Sequence, residues 1–250
     1  MSKITVKHYI NTNLKPYIDE GLLYYPIYVK VIYNKFTTNK RSNTGIITTE
    51  KSFEFYNKNG KLLEKETRRE YAYYTDEDLF KEIRIIENSI LISEKWEFKI
   101  KRNNIFDLIS EYSKNVNDYL RTAVIYDIKR AAVSKPETIG SDIGYENFLL
   151  CFSGNIIDSI EKIENFTKVS ILSFVNESDL IEFRALQIIE RITNPQTTFA
   201  EFVFMGLEDK VRAELKNENV EYCEKVILSI GKIIDKGVKL GKTTALIASW

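Results

Sequence analysis

The sequence predicts an α+β protein: a small N-terminal antiparallel β-sheet with a following helix, then a mostly α-helical C-terminal region. Three observations carry this. Apolar side chains alternate with period two through residues 4–10 and 26–33, as in half-buried strands. From residue 79 onward they recur at helical spacing instead. Turn-forming residues separate the strand-like runs, and the sequence contains only 10 Gly and 4 Pro.

In the first strand Ile4, Val6, His8 and Ile10 take one side and Thr5, Lys7 and Tyr9 the other. A polar stretch from Asn11 to Gly21, with Pro16, reads as a loop. Pro26 opens the second strand, where a missing N–H does least harm. There Ile27, Val29 and Val31 oppose Tyr28, Lys30 and Ile32. Asn34-Lys35 fits a two-residue hairpin turn because Asn tolerates positive φ. A third strand is expected from Phe36 to about Ser42, Gly45 as a left-handed position, an extended piece over Ile46–Phe55, and a turn at Asn57–Gly60.

Thr75 followed three residues later by Asp78 approximates a capping box, and Leu79, Ile83, Ile86 and Ile90 supply a helical stripe. Residues 104–133 read as helix, stopped by Ser134-Lys135-Pro136. Ile156, Ile157, Ile160 and Ile163 form another stripe. Ser178 is expected to cap a helix ended by Asn194-Pro195, and a final stripe from Val220 is expected to stop near Gly237. The apolar tail Thr243–Trp250 should dock on its own domain or on a neighbour. The expected division is a sheet-plus-helix domain over 1–100 and a helical packing domain over 101–250, with a sub-boundary at 134–145.

With 44% hydrophobic and 29% charged residues, the chain can bury a core. Its formal net charge is +0, yet residues 1–60 hold nine Lys and Arg against four Asp and Glu, while residues 136–250 hold twelve against eighteen. A basic start and an acidic end suit head-to-tail packing of copies, and the acidic end would repel phosphate. No leader and no apolar run of membrane-spanning length is expected, so a product made in a cytoplasm with no membrane partner is the reading. Cys151 and Cys223 read as buried free thiols.

Pro26-Ile27-Tyr28, the Asn34-Lys35 turn, Asn43-Thr44-Gly45-Ile46 and the aromatic Phe53 carry a family likeness. Residues 1–60 resemble the N-terminal arm-DNA-binding domain of tyrosine recombinases from Bacteroidetes and their phages, with Phe53 at the family's Trp position. The resemblance implies a small sheet that lies in a DNA groove, here through Lys30, Lys35, Lys40 and Arg41. It does not extend to catalysis. Recombinase chemistry needs a His-x-x-Arg, a further Arg and a nucleophilic Tyr, and the chain's one His, His8, has no Arg at that spacing.

Other chemistry finds no support in the sequence. Gly237–Thr243 lacks the spacing and the strand-to-helix setting of a phosphate loop. Two distant Cys and one His make no zinc site, and Glu64/Glu66 and Asp76/Asp78 read as solvated charges. The sequons at Asn165 and Asn176 carry no weight without a secretory route. The expectation is therefore a non-enzyme with no catalytic residue, metal, cofactor or small-molecule substrate. Two functions remain. One is a structural subunit of a tailed-phage virion, a ring between portal and tail, with copies of itself and neighbouring portal or tail proteins as partners. In general character the chain is similar to ring or connector proteins of crAss-like phages. The other is an accessory protein that binds duplex DNA through the arm-like domain.

Overall fold

A computed structural model of the chain describes residues 3–71, 73–122 and 177–247. It has the α+β architecture, an N-terminal antiparallel sheet followed by helix and then a mostly helical region. The chain divides into two compact units, Met1–Tyr112 with Ala245–Trp250, and Ser113–Thr244. Residues 101–112, which sequence placed with the helical half, group with the first unit.

The first unit is organised by one long strand. The strands are β1 (Ile4–Ile10), β2 (Tyr17–Asp19), β3 (Leu22–Tyr33), β4 (Phe36–Arg41), β5 (Ile46–Thr48) and β6 (Thr67–Arg69). β3 pairs antiparallel with β1, β2, β4 and β5, and β5 continues to β6. The β3–β4 turn has Asn34 at φ 51°, as its tolerance of left-handed backbone allows. On one face of the sheet Val6, Ile27, Val29 and Val31 are buried, and α1 (Glu50–Asn59) and α2 (Asp76–Lys95) pack against its strands. Ile27, Ile46, Phe53, Tyr56, Leu62 and Leu79 form a core cluster with Ile10 against it. Each such side chain contributes about 1.5–3 kcal/mol on full burial. Phe53, the aromatic anchor of the sequence motif, is thus a core residue.

Three expectations change here. The extended piece over Ile46–Phe55 is strand only to Thr48, and the turn at Asn57–Gly60 is the end of α1. The cause is local: Thr49 Oγ1 accepts the Ser52 N–H at 3.1 Å, and Phe53 and Tyr56 then share the helix face turned to the core. The expected loop 11–21 contains β2, because Tyr17–Asp19 folds back on Leu22–Tyr24. α2 starts as its cap predicts, with Thr75 N–H donating to Asp78 Oδ2 at 2.7 Å. α3 (Ile105–Tyr112) packs on α2.

The second unit is helical. Residues 116–122 are helical, followed by α4 (Glu177–Ile192), α5 (Phe199–Phe202), α6 (Glu208–Glu214) and α7 (Val220–Ile247). The helix expected over 104–133 breaks after Tyr112. Asn115 Oδ1 accepts the N–H groups of Asn117 and Asp118 at 2.9 and 3.3 Å and so starts a new helix. Ser178 lies inside α4 rather than at its cap. α7 does not stop at Gly237. A Cβ there would sit 2.9 Å from the Phe199 ring and 3.0 Å from Leu120, so glycine permits close packing instead of ending the helix. Tyr119 Oη donates to the Gly237 carbonyl at 2.9 Å across the same contact.

Among the described residues no helix is long and apolar enough to cross a membrane. The helical run to residue 133, the stop at Pro136, the boundary at 134–145, the Ile156–Ile163 stripe, Cys151 and the asparagines of both sequons lie outside the described residues.

Candidate functional site

The face of the sheet away from α1 and α2 is an ordered grid. The strand register aligns Tyr9 with Tyr28 and Arg41, Lys7 with Lys30 and Asn39, and Thr5 with Ile32 and Thr37. All nine side chains are half-buried or exposed. The Tyr9 and Tyr28 rings lie 5.6 Å apart, and burial, then Tyr28, raises the Tyr9 phenol above its ordinary pKa. Lys7 and Lys30 stand directly opposite each other. Like charges so placed cost stability unless something anionic or electron-rich meets them. Neither forms an ion pair among the described residues. Among the described residues Arg41 has only an exposed partner, Glu70 at 3.6 Å.

The four basic residues expected from sequence do not form one surface. Lys30 and Arg41 share the open face. Lys40 is in register with Val29 on the opposite face, its Nζ 5.8 Å from the centre of the Phe106 ring, and Lys35 sits in the hairpin turn. Adjacent strand residues must point to opposite sides, so Lys40 and Arg41 could never both join Lys30. Lys7 was missed as a candidate although its alternation with Val6 and His8 places it on this face.

A second surface is apolar. The β2–β3 hairpin and the loop before it expose Leu14, Tyr17, Ile18, Leu22 and Leu23, with Ile18 at 65% of full exposure. The hairpin base is anchored: Tyr24 is fully buried, Arg68 lies 5.0 Å over its ring, and Arg68 Nε donates to Asp19 at 3.0 Å.

A third feature is the loop between β6 and α2. Tyr71 and Tyr73 stack at 5.6 Å, and Tyr73 and Tyr74 lie at 4.7 Å. Tyr73 is 71% exposed. Residues 70–80 contain Glu70, Asp76, Glu77 and Asp78 and no lysine or arginine.

His8 is buried, and its Nε2–H donates to Glu82 Oε2 at 2.9 Å, as expected for a hydrogen-bonded strand residue. Ser42 Oγ donates to the same oxygen at 2.7 Å and the Asn43 N–H to Glu82 Oε1 at 2.8 Å. Glu82 therefore fastens β1 and the loop after β4 to α2. The acidic residues read from sequence as solvated charges also tie loops. Glu66 accepts from Lys51 at 2.7 Å and Thr49 at 2.6 Å, and these bonds, Lys51 first, lower its pKa. Asp76 accepts the Leu62 N–H at 2.9 Å and Arg69 at 3.2 Å. Cys223 is a buried free thiol. Among the described residues no group of His, Cys, Asp and Glu could hold a metal ion.

No family model, curated protein or solved structure matches this chain.

Proposed function

We propose that this chain is a non-catalytic structural subunit of a tailed-phage virion that packs against copies of itself in a ring of the portal–tail assembly. The observation that carries the packing role is the apolar hairpin. Five large apolar side chains on one short segment face water in the single chain, with Ile18 and Leu23 together on one side of the hairpin, and exposed apolar groupings of this kind mark contact surfaces. The phage assignment rests on the likeness of residues 1–60 to phage-borne recombinase arms and on the chain's general similarity to ring proteins of crAss-like phages. On this reading the partners are copies of the chain and neighbouring portal or tail proteins, and the place of action is the virion.

A second reading, an accessory duplex-binding protein, draws on the open sheet face, where Lys7, Lys30 and Arg41 lie together with two tyrosines. Light scattering and electron microscopy of the purified chain, beside a duplex titration at several salt concentrations, separate the two. Particles of many-fold cyclic symmetry with little duplex affinity support the ring. A monomer with nanomolar duplex affinity that drops steeply with salt rejects it. Ile18→Asp should abolish assembly while leaving the melting temperature close to wild type, because this side chain is largely in water already. Assembly of this variant at the wild-type concentration would remove the hairpin from the interface.

A further inference from the structure

We infer that the open face of the sheet is filled by the Tyr71–Tyr74 loop of a second copy of this chain. The inference rests on the ring reading and names one of its contacts. The face offers two opposed lysines without ion pairs among the described residues, beside a tyrosine pair. The loop offers the complement: three clustered phenol rings, two of them exposed, followed by the carboxylate of Glu77. Glu77 on this stretch is exposed and makes no ion pair among the described residues. Ammonium groups seat on aromatic faces, and a carboxylate at the rim strengthens the contact.

The fold already uses this pairing inside the chain. Arg68 lies 5.0 Å over Tyr24, Lys95 Nζ 4.6 Å over Trp96, and Lys40 Nζ 5.8 Å over Phe106. A duplex fits the same face less well. Glu70 lies beside Arg41 at its edge and would repel phosphate, and the chain as a whole has a formal net charge of +0. The face and the loop are different surfaces, so a one-way face-to-loop contact is heterologous, the type that gives a ring when its rotation closes.

The test is a charge swap in the full chain. One variant, Lys7→Glu/Lys30→Glu, has an acidic face and the native acidic loop. The other, Tyr73→Lys/Glu77→Lys, has a basic loop and the native basic face. All four positions are exposed or half-buried, and circular dichroism melts check that both variants fold. A milder pair, Lys7→Gln/Lys30→Gln, serves if the first does not fold. Each charge variant alone should need a concentration about tenfold or more above wild type to assemble, by sedimentation velocity. Mixed one to one, they should assemble at the wild-type concentration, because every face then meets a loop of opposite charge. Wild-type assembly by either variant alone, or no rescue on mixing, overturns the contact while leaving the ring reading intact. Wild-type duplex binding that Lys7→Glu/Lys30→Glu abolishes and Tyr73→Lys/Glu77→Lys leaves untouched also overturns it, with DNA as the occupant. A wild-type chain that stays monomeric removes the ring reading and this contact together.

Discussion

The two units of the chain treat their surfaces differently. In the first, five exposed apolar side chains share one hairpin and its preceding loop, two exposed tyrosines share one loop, and two lysines face each other without a counter-ion among the described residues. In the second, the large exposed apolar side chains among the described residues, Phe204, Val220 and Leu228, are scattered along the sequence. Some of its charges are answered locally: Lys236 with the buried Glu182 at 2.8 Å, Arg121 with Glu190, and Arg212 between Glu208 and Glu224 at 2.8 Å each. Clustering of unmet groups separates a recognition surface from a merely solvated one. By that measure the first unit carries the clearest candidate contact surfaces among the described residues.

The largest expected effect falls on the joint of the first unit. Glu82 accepts hydrogen bonds from His8, Ser42 and the Asn43 backbone, and both side-chain donors are buried. Glu82→Ala strands His8 and leaves Ser42 only its Thr44 partner, and should cost about 2–4 kcal/mol of stability, read as a lower denaturant midpoint. Glu82→Gln keeps one accepting oxygen and should cost less. If Glu82→Ala melted with wild type, the sheet would be held to α2 by apolar contact alone.

Alkali sharpens the comparison next. In the first unit burial, then Asp76 and Glu82, pushes the Tyr56 phenol up to about 12 from 10.0, and burial, then Glu111, raises Tyr112 as well. A raised folded pKa means that above pH 10.0 the native state holds protons the unfolded chain has released. Stability is therefore full below pH 10.0 and lost as the pH climbs toward about 12. Hydrogen exchange should show β1, β3 and α1 loosening through this window. Tyr56→Phe should make the loss shallower. An identical profile in the variant would assign the alkaline loss elsewhere.

How much of this was legible in the sequence differs between the units for physical reasons. β1, β3 and β4 could be read because period-two alternation survives wherever one sheet face is buried, and α2 because its cap and stripe agree. α1 could not, since only Phe53 and Tyr56 mark its buried face and its start depends on the Thr49 side chain. β2 is three residues long, too short for any period to show. Half of the open face was legible: Lys30 and Arg41 belong to it, Lys40 fails by simple alternation, and Lys7 belongs by alternation while only the β1–β3 register sets it opposite Lys30. The bond between His8 and Glu82 joins residues 74 apart in sequence, a separation that leaves no local signature. In the second unit the end of α7 was misread because glycine signals both helix termini and close packing, and only the neighbouring Phe199 tells which.

That ambiguity yields the smallest and cleanest test, two glycines in one helix. Alanine is about 1 kcal/mol better than glycine in a helix interior. At Gly231 no described residue lies within 4 Å of the new Cβ, so Gly231→Ala should stabilise by about 0.5–1 kcal/mol. At Gly237 the same methyl meets Phe199 at 2.9 Å and Leu120 at 3.0 Å. Overpacking of this kind costs about 1–3 kcal/mol, which outweighs the helix gain and disturbs the Tyr119 bond to the Gly237 carbonyl. Gly237→Ala should therefore destabilise by about 1 kcal/mol, at an unchanged denaturant slope. Opposite signs for one substitution on one helix would locate the rigidity of the second unit in the seam between α7, α5 and helical residues 116–122. Equal signs would mean that the seam yields by the few tenths of an ångström a methyl needs.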